Sequence, residues 1–95
     1  MRVSFLAVAE AEAEAAQAWY EQRSLLAAAG FLHELTRAVN RIREAPHRYA
    51  RAEHGTRRIL LDRFPFSIYY RVTDEAVVIV AVAHAKRRPR YWSGR

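Results

Sequence analysis

The pattern of apolar and polar positions divides the chain into a helical first half and a strand-rich second half. Residues 3–8 alternate loosely and predict a short first strand. Through residues 9–29, the strong helix formers Ala and Glu predict an amphipathic helix that Gly30 ends. A second helix is predicted over residues 31–45, because Pro46 disfavours the helical conformation in the residue before it. With only Gly30 between them, the two helices are predicted to form an antiparallel hairpin.

Each predicted helix has an apolar stripe that indicates which face is buried. The stripe of the first helix comprises Ala11, Ala15, Ala18, Trp19, Gln22, Leu25, Leu26 and Ala29. That of the second comprises Phe31, Leu32, Leu35, Val39 and Ile42. We therefore expect Trp19 and Tyr20 to pack inside the hairpin, and Glu10, Glu12 and Glu14 to form a solvated helix start favoured by the helix dipole.

Three strand-like segments follow a predicted loop at residues 46–56. They cover residues 57–63, 66–72 and 76–83, and the last is apolar on both faces, as in a central strand covered on at least one side. In residues 66–72, Phe66, Ile68, Tyr70 and Val72 share one face, while Ser67, Tyr69 and Arg71 share the other. The order β-α-α-β-β-β predicts one α+β domain over residues 1–95, with the helical hairpin packed on one face of a small, mostly antiparallel twisted sheet.

The composition excludes several classes of site. There is no cysteine, so disulfides and zinc–thiolate sites are excluded. The four histidines lie far apart in sequence and no glycine-rich phosphate loop is present, so we expect no metal, cofactor or small-molecule ligand. The apolar stretch near Arg2 is too short for a signal peptide, and no segment is long enough to span a bilayer. We therefore expect a cytoplasmic protein without a membrane partner.

The charge is unevenly distributed along the chain. The net charge is +6, but residues 1–36 carry −3 and residues 37–95 carry +9. Fifteen of the sixteen basic residues are Arg, whose guanidinium group suits bidentate contact with phosphate or carboxylate. This asymmetry indicates a polyanionic partner, either nucleic acid or an acidic protein, although a solvated basic face has the same composition.

Four segments in order give the chain a resemblance to a known family. They are AWYEQ, IREAP, RRILLDRFPFSIYYRV and VVIVAVAHAKRRPRYW. Over residues 3–92 the chain resembles the RelE/ParE superfamily of bacterial toxins, above all the ParE-like branch often labelled plasmid stabilisation proteins. The resemblance implies the toxin of a type II toxin–antitoxin system, a growth inhibitor neutralised by a cognate acidic antitoxin. It also implies one of two main targets, DNA gyrase or the ribosome with its mRNA.

The basic tail, residues 84–95, contains the residue types that RNA cleavage requires. Such a site removes the 2′-hydroxyl proton, stabilises charge on the phosphorane and protonates the leaving oxygen. Arg87 and Arg88 are candidates to clamp phosphate, and His84, Lys86 and Tyr91 are candidates for proton transfer. The candidate residues for binding nucleic acid or another target are Tyr69, Arg71, Arg90 and Trp92, the aromatic members by stacking on bases.

Alternatives to the nuclease role remain open at this point. Ser67 stands where the nuclease branch carries an arginine, and Arg57, Arg58 and Arg63 stand where it has a lysine pair, so a gyrase poison that needs no acid–base groups is favoured. A small non-toxic RNA-binding module is a third possibility. The tail residues also have structural interpretations, in which Trp92 and Tyr91 fold back onto the sheet and His84 packs at the end of its strand.

Overall fold

The computed structural model describes the whole chain, residues 1–95, and confirms the predicted α+β fold. The elements are β1 (Arg2–Phe5), α1 (Ala7–Glu21), α2 (Leu25–Glu44), β2 (Ala50–Arg51), β3 (Arg57–Leu60), β4 (Phe66–Val72) and β5 (Ala76–His84). They form one sheet with the strand order β1-β5-β4-β3-β2, in which β1 runs parallel to β5 and the other pairs are antiparallel. The two-residue strand β2 lies in the segment predicted to be a loop. Strand β1 ends at Phe5, three residues before the predicted end of the strand at Val8. None of the helices is long and apolar enough to cross a bilayer.

The helical hairpin turns at residues 22–24, so the predicted break at Gly30 is wrong. The backbone N–H groups of Arg23 and Ser24 both donate to the Tyr20 carbonyl, which ends α1. Ser24 then caps α2, because its Oγ accepts a hydrogen bond from the Ala27 N–H at 3.1 Å. Gly30 lies inside α2, where a Cβ atom would come within 3.3 Å of the Phe64 ring. A glycine there costs about 1 kcal/mol of helix propensity and lets Phe64 approach the helix closely.

The buried face of α1 also differs from the prediction. The residues that contact the core are Ala9, Ala13 and Ala16. In contrast, Trp19 is 52% exposed, and Leu25 and Leu26 are 76% and 84% exposed at the hairpin corner. The predicted stripe was wrong because seven of the fifteen residues of α1 are alanine and they lie on all sides of the helix, so the apolar pattern does not select one face. Tyr20 does pack in the hairpin region as predicted, with its ring centroid 5.4 Å from Phe31 and 5.1 Å from Phe64.

The sheet is covered on both faces. On one face, the helices pack on Ile59, Ile68, Tyr70, Val77 and Ile79 to form the main core. The predicted alternation of β4 is confirmed, since Phe66, Ile68 and Tyr70 are buried here. The opposite face has a second, smaller core made of Val80, Ala81 and Trp92.

An irregularity in β5 lets the strand contribute side chains to both cores. Tyr69 pairs with Ala81 while Tyr70 pairs with Ile79, so Val80 is an extra residue between two regular pairs. Val80 and Ala81 consequently both belong to the second core, and Val82 returns to the main core. This bulge places the end of β5 and the start of the basic tail beside α1.

Candidate functional site

The basic tail folds back over the second face of the sheet and is anchored by Trp92. The Trp92 side chain is 1% exposed, and its ring centroid lies 4.4 Å from that of Tyr69 at an interplanar angle of 32°. The His54 ring meets Trp92 edge-on at 5.8 Å. Trp92 thus has the packing role that the sequence left open, and in this conformation neither Trp92 nor the covered face of Tyr69 is free to stack on a base.

A carboxylate on α1 holds the end of the tail. Glu12 accepts hydrogen bonds from the Tyr91 hydroxyl at 2.6 Å, from Arg95 Nη1 and Nη2 at 2.9 and 3.0 Å, and from the Val82 backbone N–H at 3.0 Å. Burial alone would raise the pKa of Glu12, but the hydrogen bonds from Arg95, Tyr91 and Val82 together lower it below its ordinary value. We call Glu12, Tyr91 and Arg95 the tail latch. The expectation that Glu12 belongs to a solvated helix start is therefore wrong.

Two further arginines fasten the tail to the loop after β2. Arg71 donates from Nη1 to the Arg95 carbonyl at 3.1 Å and from Nε to the His54 carbonyl at 3.2 Å. Arg90 forms an ion pair with Glu53 at 2.9 Å, and both side chains are more than half exposed. An exposed pair of this kind contributes little to stability, so Arg90 is held only weakly. Arg71 and Arg90 thus have internal partners that the sequence did not predict.

The remaining basic side chains of the tail are exposed and form no ion pair with the protein. They are Lys86, Arg87 and Arg88. The Arg87 guanidinium lies 3.9 Å from the centroid of the Tyr91 ring, a cation–π contact that orients it. His84 is half-buried, with its ring edge-on to Phe66 at 5.0 Å, and its Nδ1 accepts a hydrogen bond from the Lys86 N–H. Two exposed arginines therefore follow directly after the end of β5.

His84, Arg87 and Arg88 line a groove of about 330 Å³ between the sheet and the tail, which we call the basic groove. No Asp or Glu lines it, and Arg58 of β3 joins the tail arginines there. Its principal polar and aromatic residues are Arg58, Tyr69, His84, Arg87, Arg88 and Arg90. Of the residues predicted for this surface, the groove brings the tail arginines together with Tyr69, but Lys86 and Arg71 do not line it. From the sequence, Arg58 was considered only as a departure from the nuclease pattern.

A second and larger groove, of about 530 Å³, lies between α1 and the end of β5. We call it the α1–β5 groove. Its mainly apolar walls include Ala15, Trp19, Tyr20, Phe66 and Val82. His84 and Arg87 line this groove as well as the basic groove. The two grooves therefore meet at the start of the tail.

The geometry of the basic groove suits anion binding better than proton transfer. The pKa of Tyr91 is raised by burial and by its hydrogen bond to Glu12, so its hydroxyl is held in the protonated form. Ser67 supplies no guanidinium from β4. No group of three or more His, Asp or Glu side chains lies close enough to hold a metal ion. The groove therefore contains several guanidinium groups that can bind an anion, and its one imidazole is that of His84.

Comparison with known proteins agrees with the fold. Residues 3–89 match the family model described as "ParE toxin of type II toxin-antitoxin system, parDE". The chain therefore belongs to the ParE toxin family of type II toxin–antitoxin systems. It is similar to a solved chain titled "Chromosomal ParDE TA system from P. aeruginosa", with a TM-score of 0.80, 21% identity, and coverage of 90% of this chain and 97% of that one. No curated protein matches the chain in a sequence search.

Sequence reasoning missed two residues of the site, Glu12 and Arg95. Glu12 follows Ala9 by three residues and precedes Ala16 by four, so it lies on the buried face of α1. The sequence contains this spacing, but it indicates that Glu12 lies on the buried face only when Ala9 and Ala16 are already known to be buried. Residues 90–95, which include Arg95, lie beyond the range that the family model matches.

Proposed function

We propose that this toxin acts as a growth inhibitor that binds a complex of DNA gyrase and DNA through its basic groove. The observation that carries the proposal is the set of arginines without ion-pair partners, Arg58, Arg87 and Arg88, along a groove with no acidic residue. Guanidinium groups bind phosphate oxygens in a bidentate manner, and an arginine set of this kind suits a DNA-bearing target. Because gyrase acts in the cytoplasm, the toxin would act there too.

We propose further that an acidic antitoxin neutralises the toxin. The net charge of +6 and the concentration of basic residues after residue 36 favour a negatively charged protein partner. Exposed apolar side chains, including Trp19, Leu26 and Leu32, are suited to burial by such a partner. Co-expression with the antitoxin should restore growth, and the isolated complex should weaken as salt rises because its attraction is partly electrostatic.

A ribosome-dependent mRNA endonuclease is the second candidate, and one observation favours it. His84 lies in the same groove as Arg87 and Arg88, so an imidazole and two phosphate-binding groups share one surface. Lys86, two residues after His84 and outside the lining of the groove, is a further exposed candidate for proton transfer. Two features weigh against this candidate. The Tyr91 hydroxyl is occupied in a hydrogen bond to Glu12, and Ser67 stands where the nuclease branch carries a guanidinium. The catalytic roles of these residues stay predictions.

Induction of the toxin in a bacterial host with separate readouts tests the proposal. Filamentation, an SOS response and DNA breaks are expected if gyrase is the target, whereas prompt loss of translation with cleaved mRNA would identify the nuclease. Growth without arrest would contradict both candidates and favour a non-toxic RNA-binding module. A supercoiling assay with purified gyrase then measures inhibition directly.

A double variant locates the activity on the basic groove. Arg87→Ala with Arg88→Ala should weaken target inhibition about 100-fold, since each charge-assisted contact contributes roughly 1.5 kcal/mol or more. Arg41→Ala with Arg48→Ala is the matched control, because it removes the same charge from exposed positions outside the groove. Equal inhibition by the two double variants would remove the basic groove from the mechanism. Circular dichroism of each variant verifies that its fold is unchanged.

A further inference from the structure

The short edge strand β2 places two arginines directly beside each other. In the antiparallel pairing of β2 with β3, Arg51 lies opposite Arg57. Opposed residues of an antiparallel pair share one face of the sheet, with Cβ atoms about 5 Å apart, and like charges at such positions are destabilising. Neither guanidinium forms an ion pair with the protein. The repulsion between Arg51 and Arg57 is therefore not offset by any carboxylate of this chain.

The two arginines line a pocket of about 350 Å³ at the β2 edge of the sheet, which we call the edge pocket. His47, from the loop after α2, completes its basic lining. No Asp or Glu lines the pocket, and Glu53, two residues after Arg51, pairs with Arg90 of the tail instead. The edge pocket is thus a concave site with basic side chains and no counter-charge.

Hydrogen bonds fix one wall of the edge pocket. Arg57 is half-buried and donates from Nη1 to the Tyr49 carbonyl at 2.8 Å. The buried Tyr70 donates from its hydroxyl to the Pro46 carbonyl at 2.7 Å, which holds the start of the same loop. Because Arg57 uses only Nη1 in this way, its Nε and Nη2 are available to a ligand. Arg57 therefore has a defined orientation, whereas the exposed Arg51 can adjust to what binds.

The edge pocket is separate from the two grooves described above. It shares no lining residue with the α1–β5 groove or with the basic groove. Arg57 and Arg58 are neighbours in β3, but the alternation of a strand directs their side chains to opposite faces of the sheet. A ligand of the edge pocket therefore occupies a different surface from a ligand of the basic groove.

We propose that the edge pocket binds a terminal phosphate group between Arg51 and Arg57, with His47 beside it. A phosphomonoester carries about −1.5 to −2 charges at pH 7 and three acceptor oxygens, so it can accept hydrogen bonds from two guanidinium groups and cancel their repulsion. A carboxylate has one charge and two oxygens, which a single guanidinium already satisfies. The same chemistry is present in free phosphate and at the 5′-phosphate end of a nucleic acid. The site rests on the geometry of β2 and β3 and not on the target of the toxin.

An NMR titration of the full-length protein with inorganic phosphate tests the site. The amide signals of residues 47–57 should shift and reach saturation while chloride keeps the ionic strength constant. Arg51→Glu places a carboxylate opposite Arg57, so it should weaken phosphate binding about tenfold or more, because repulsion replaces a charge-assisted contact. Arg48→Glu is the matched control, since it makes the same change of charge at an exposed position of the same loop outside the pocket. It should change binding by less than about threefold.

Urea unfolding separates a binding role from a structural one. Arg51→Glu converts a like-charge pair into an opposite-charge pair, so the free variant should unfold at a higher urea concentration than the native chain. Phosphate should raise the midpoint of the native chain and leave that of Arg51→Glu unchanged. A variant that is more stable and yet binds phosphate less well has lost the site rather than the fold. If circular dichroism shows that Arg51→Glu is not folded, Arg51→Gln removes the charge and carries the same binding test.

Two oligonucleotides distinguish the source of the phosphate. A ten-nucleotide single strand with a 5′-phosphate is compared with the same strand ending in a 5′-hydroxyl. Tighter binding of the phosphorylated strand, lost in Arg51→Glu, would assign the pocket to a nucleic-acid end, whereas a response to inorganic phosphate alone would assign it to free phosphate. The proposal is overturned if residues 47–57 respond to neither phosphate nor the phosphorylated strand, or respond equally in the native chain and in Arg51→Glu. An equal response to both strands without one to inorganic phosphate would also overturn it, and none of these results bears on the target of the toxin.

Discussion

Removal of the Glu12 carboxylate would show how strongly the tail latch holds the basic tail. Glu12→Ala deletes the acceptor of four hydrogen bonds, which come from Val82, Tyr91 and both Nη atoms of Arg95. Loss of one partner of a fully buried ion pair costs about 3–5 kcal/mol. The Glu12 and Arg95 side chains are 14% and 17% exposed, so water replaces part of what is lost. We therefore expect destabilisation of about 2–3 kcal/mol.

The two tryptophans make this change measurable at the tail itself. In a Trp19→Phe background, Trp92 is the only tryptophan, and its buried ring reports on the tail through its emission. Urea unfolding is then followed by Trp92 fluorescence and, in parallel, by the helical circular dichroism signal. With a slope of about 1 kcal/mol per molar urea, the fluorescence midpoint of Glu12→Ala should fall by about 2–3 M. The fluorescence transition should also precede the loss of helix.

Glu14→Ala is the matched control for this experiment. Glu14 lies on the same helix and is exposed, and it has neither an ion pair nor a side-chain hydrogen bond. The urea unfolding midpoint of Glu14→Ala should stay close to that of the Trp19→Phe parent protein. Equal midpoints for Glu12→Ala and Glu14→Ala would refute the reasoning, because the tail would then be held by the packing of Trp92 alone.

Two further predictions concern buried carboxylates. Glu34 accepts hydrogen bonds from the Asp62 N–H, the Arg63 N–H and Arg63 Nε. Glu34→Ala should therefore lower the free energy of unfolding, measured by urea denaturation, by about 2–3 kcal/mol. An unchanged urea midpoint would contradict this. Hydrogen bonds to Glu12 lower its pKa below the ordinary 4.5 despite burial, so the stability it adds is complete above pH 4.5 and is lost as the pH falls through its lower folded-state pKa. Trp92 emission should shift to the red in that acid range, and Glu12→Ala, already shifted at neutral pH, should show no such step.

Strand β4 was predictable from the sequence because its pattern has a single solution. In β4, apolar Phe66, Ile68 and Tyr70 alternate with Ser67 and Tyr69, and a one-residue slip would turn the whole set to the wrong face. In β5, residues 76–83 are apolar on both faces, so the pattern gives no sign of the bulge at Val80. The sequence correctly gave a covered central strand here but could not show that the tail forms the second cover.

The helices were harder to predict because an alanine does not indicate whether its side of the helix is buried or exposed. In α1, Ala9, Ala13 and Ala16 are buried while Ala11, Ala15 and Ala18 are exposed, and no property of the side chain separates the two sets. The end of α1 was missed because Gly30 is the stronger breaker by propensity. Ser24 carries the true signal as a capping residue, and Gly30 lies where the Phe64 ring leaves little room for a side chain on α2.

The tail latch could not be predicted because its members are remote in sequence. Glu12 and Arg95 are 83 residues apart, and their contact depends on the place where β5 leaves the sheet beside α1. Glu10, Glu12 and Glu14 have similar neighbours along the chain. Only the rotation of α1 about its axis places Glu12 toward the sheet and leaves the other two exposed. The grouping of the tail arginines needed less information, since Arg87 and Arg88 follow directly from the end of a strand.

His84 and Arg87, where the two grooves meet, restrict how such a toxin can evolve. An antitoxin that covers Trp19 in the α1–β5 groove would also meet His84 and Arg87, so a substitution at either position that prevents neutralisation would also change the surface that meets the proposed target. Mutants that escape control by altering this junction would therefore tend to be weakened as poisons. A host that carries the gene pair is thereby protected, at these two positions, against the accidental emergence of an unrestrained inhibitor.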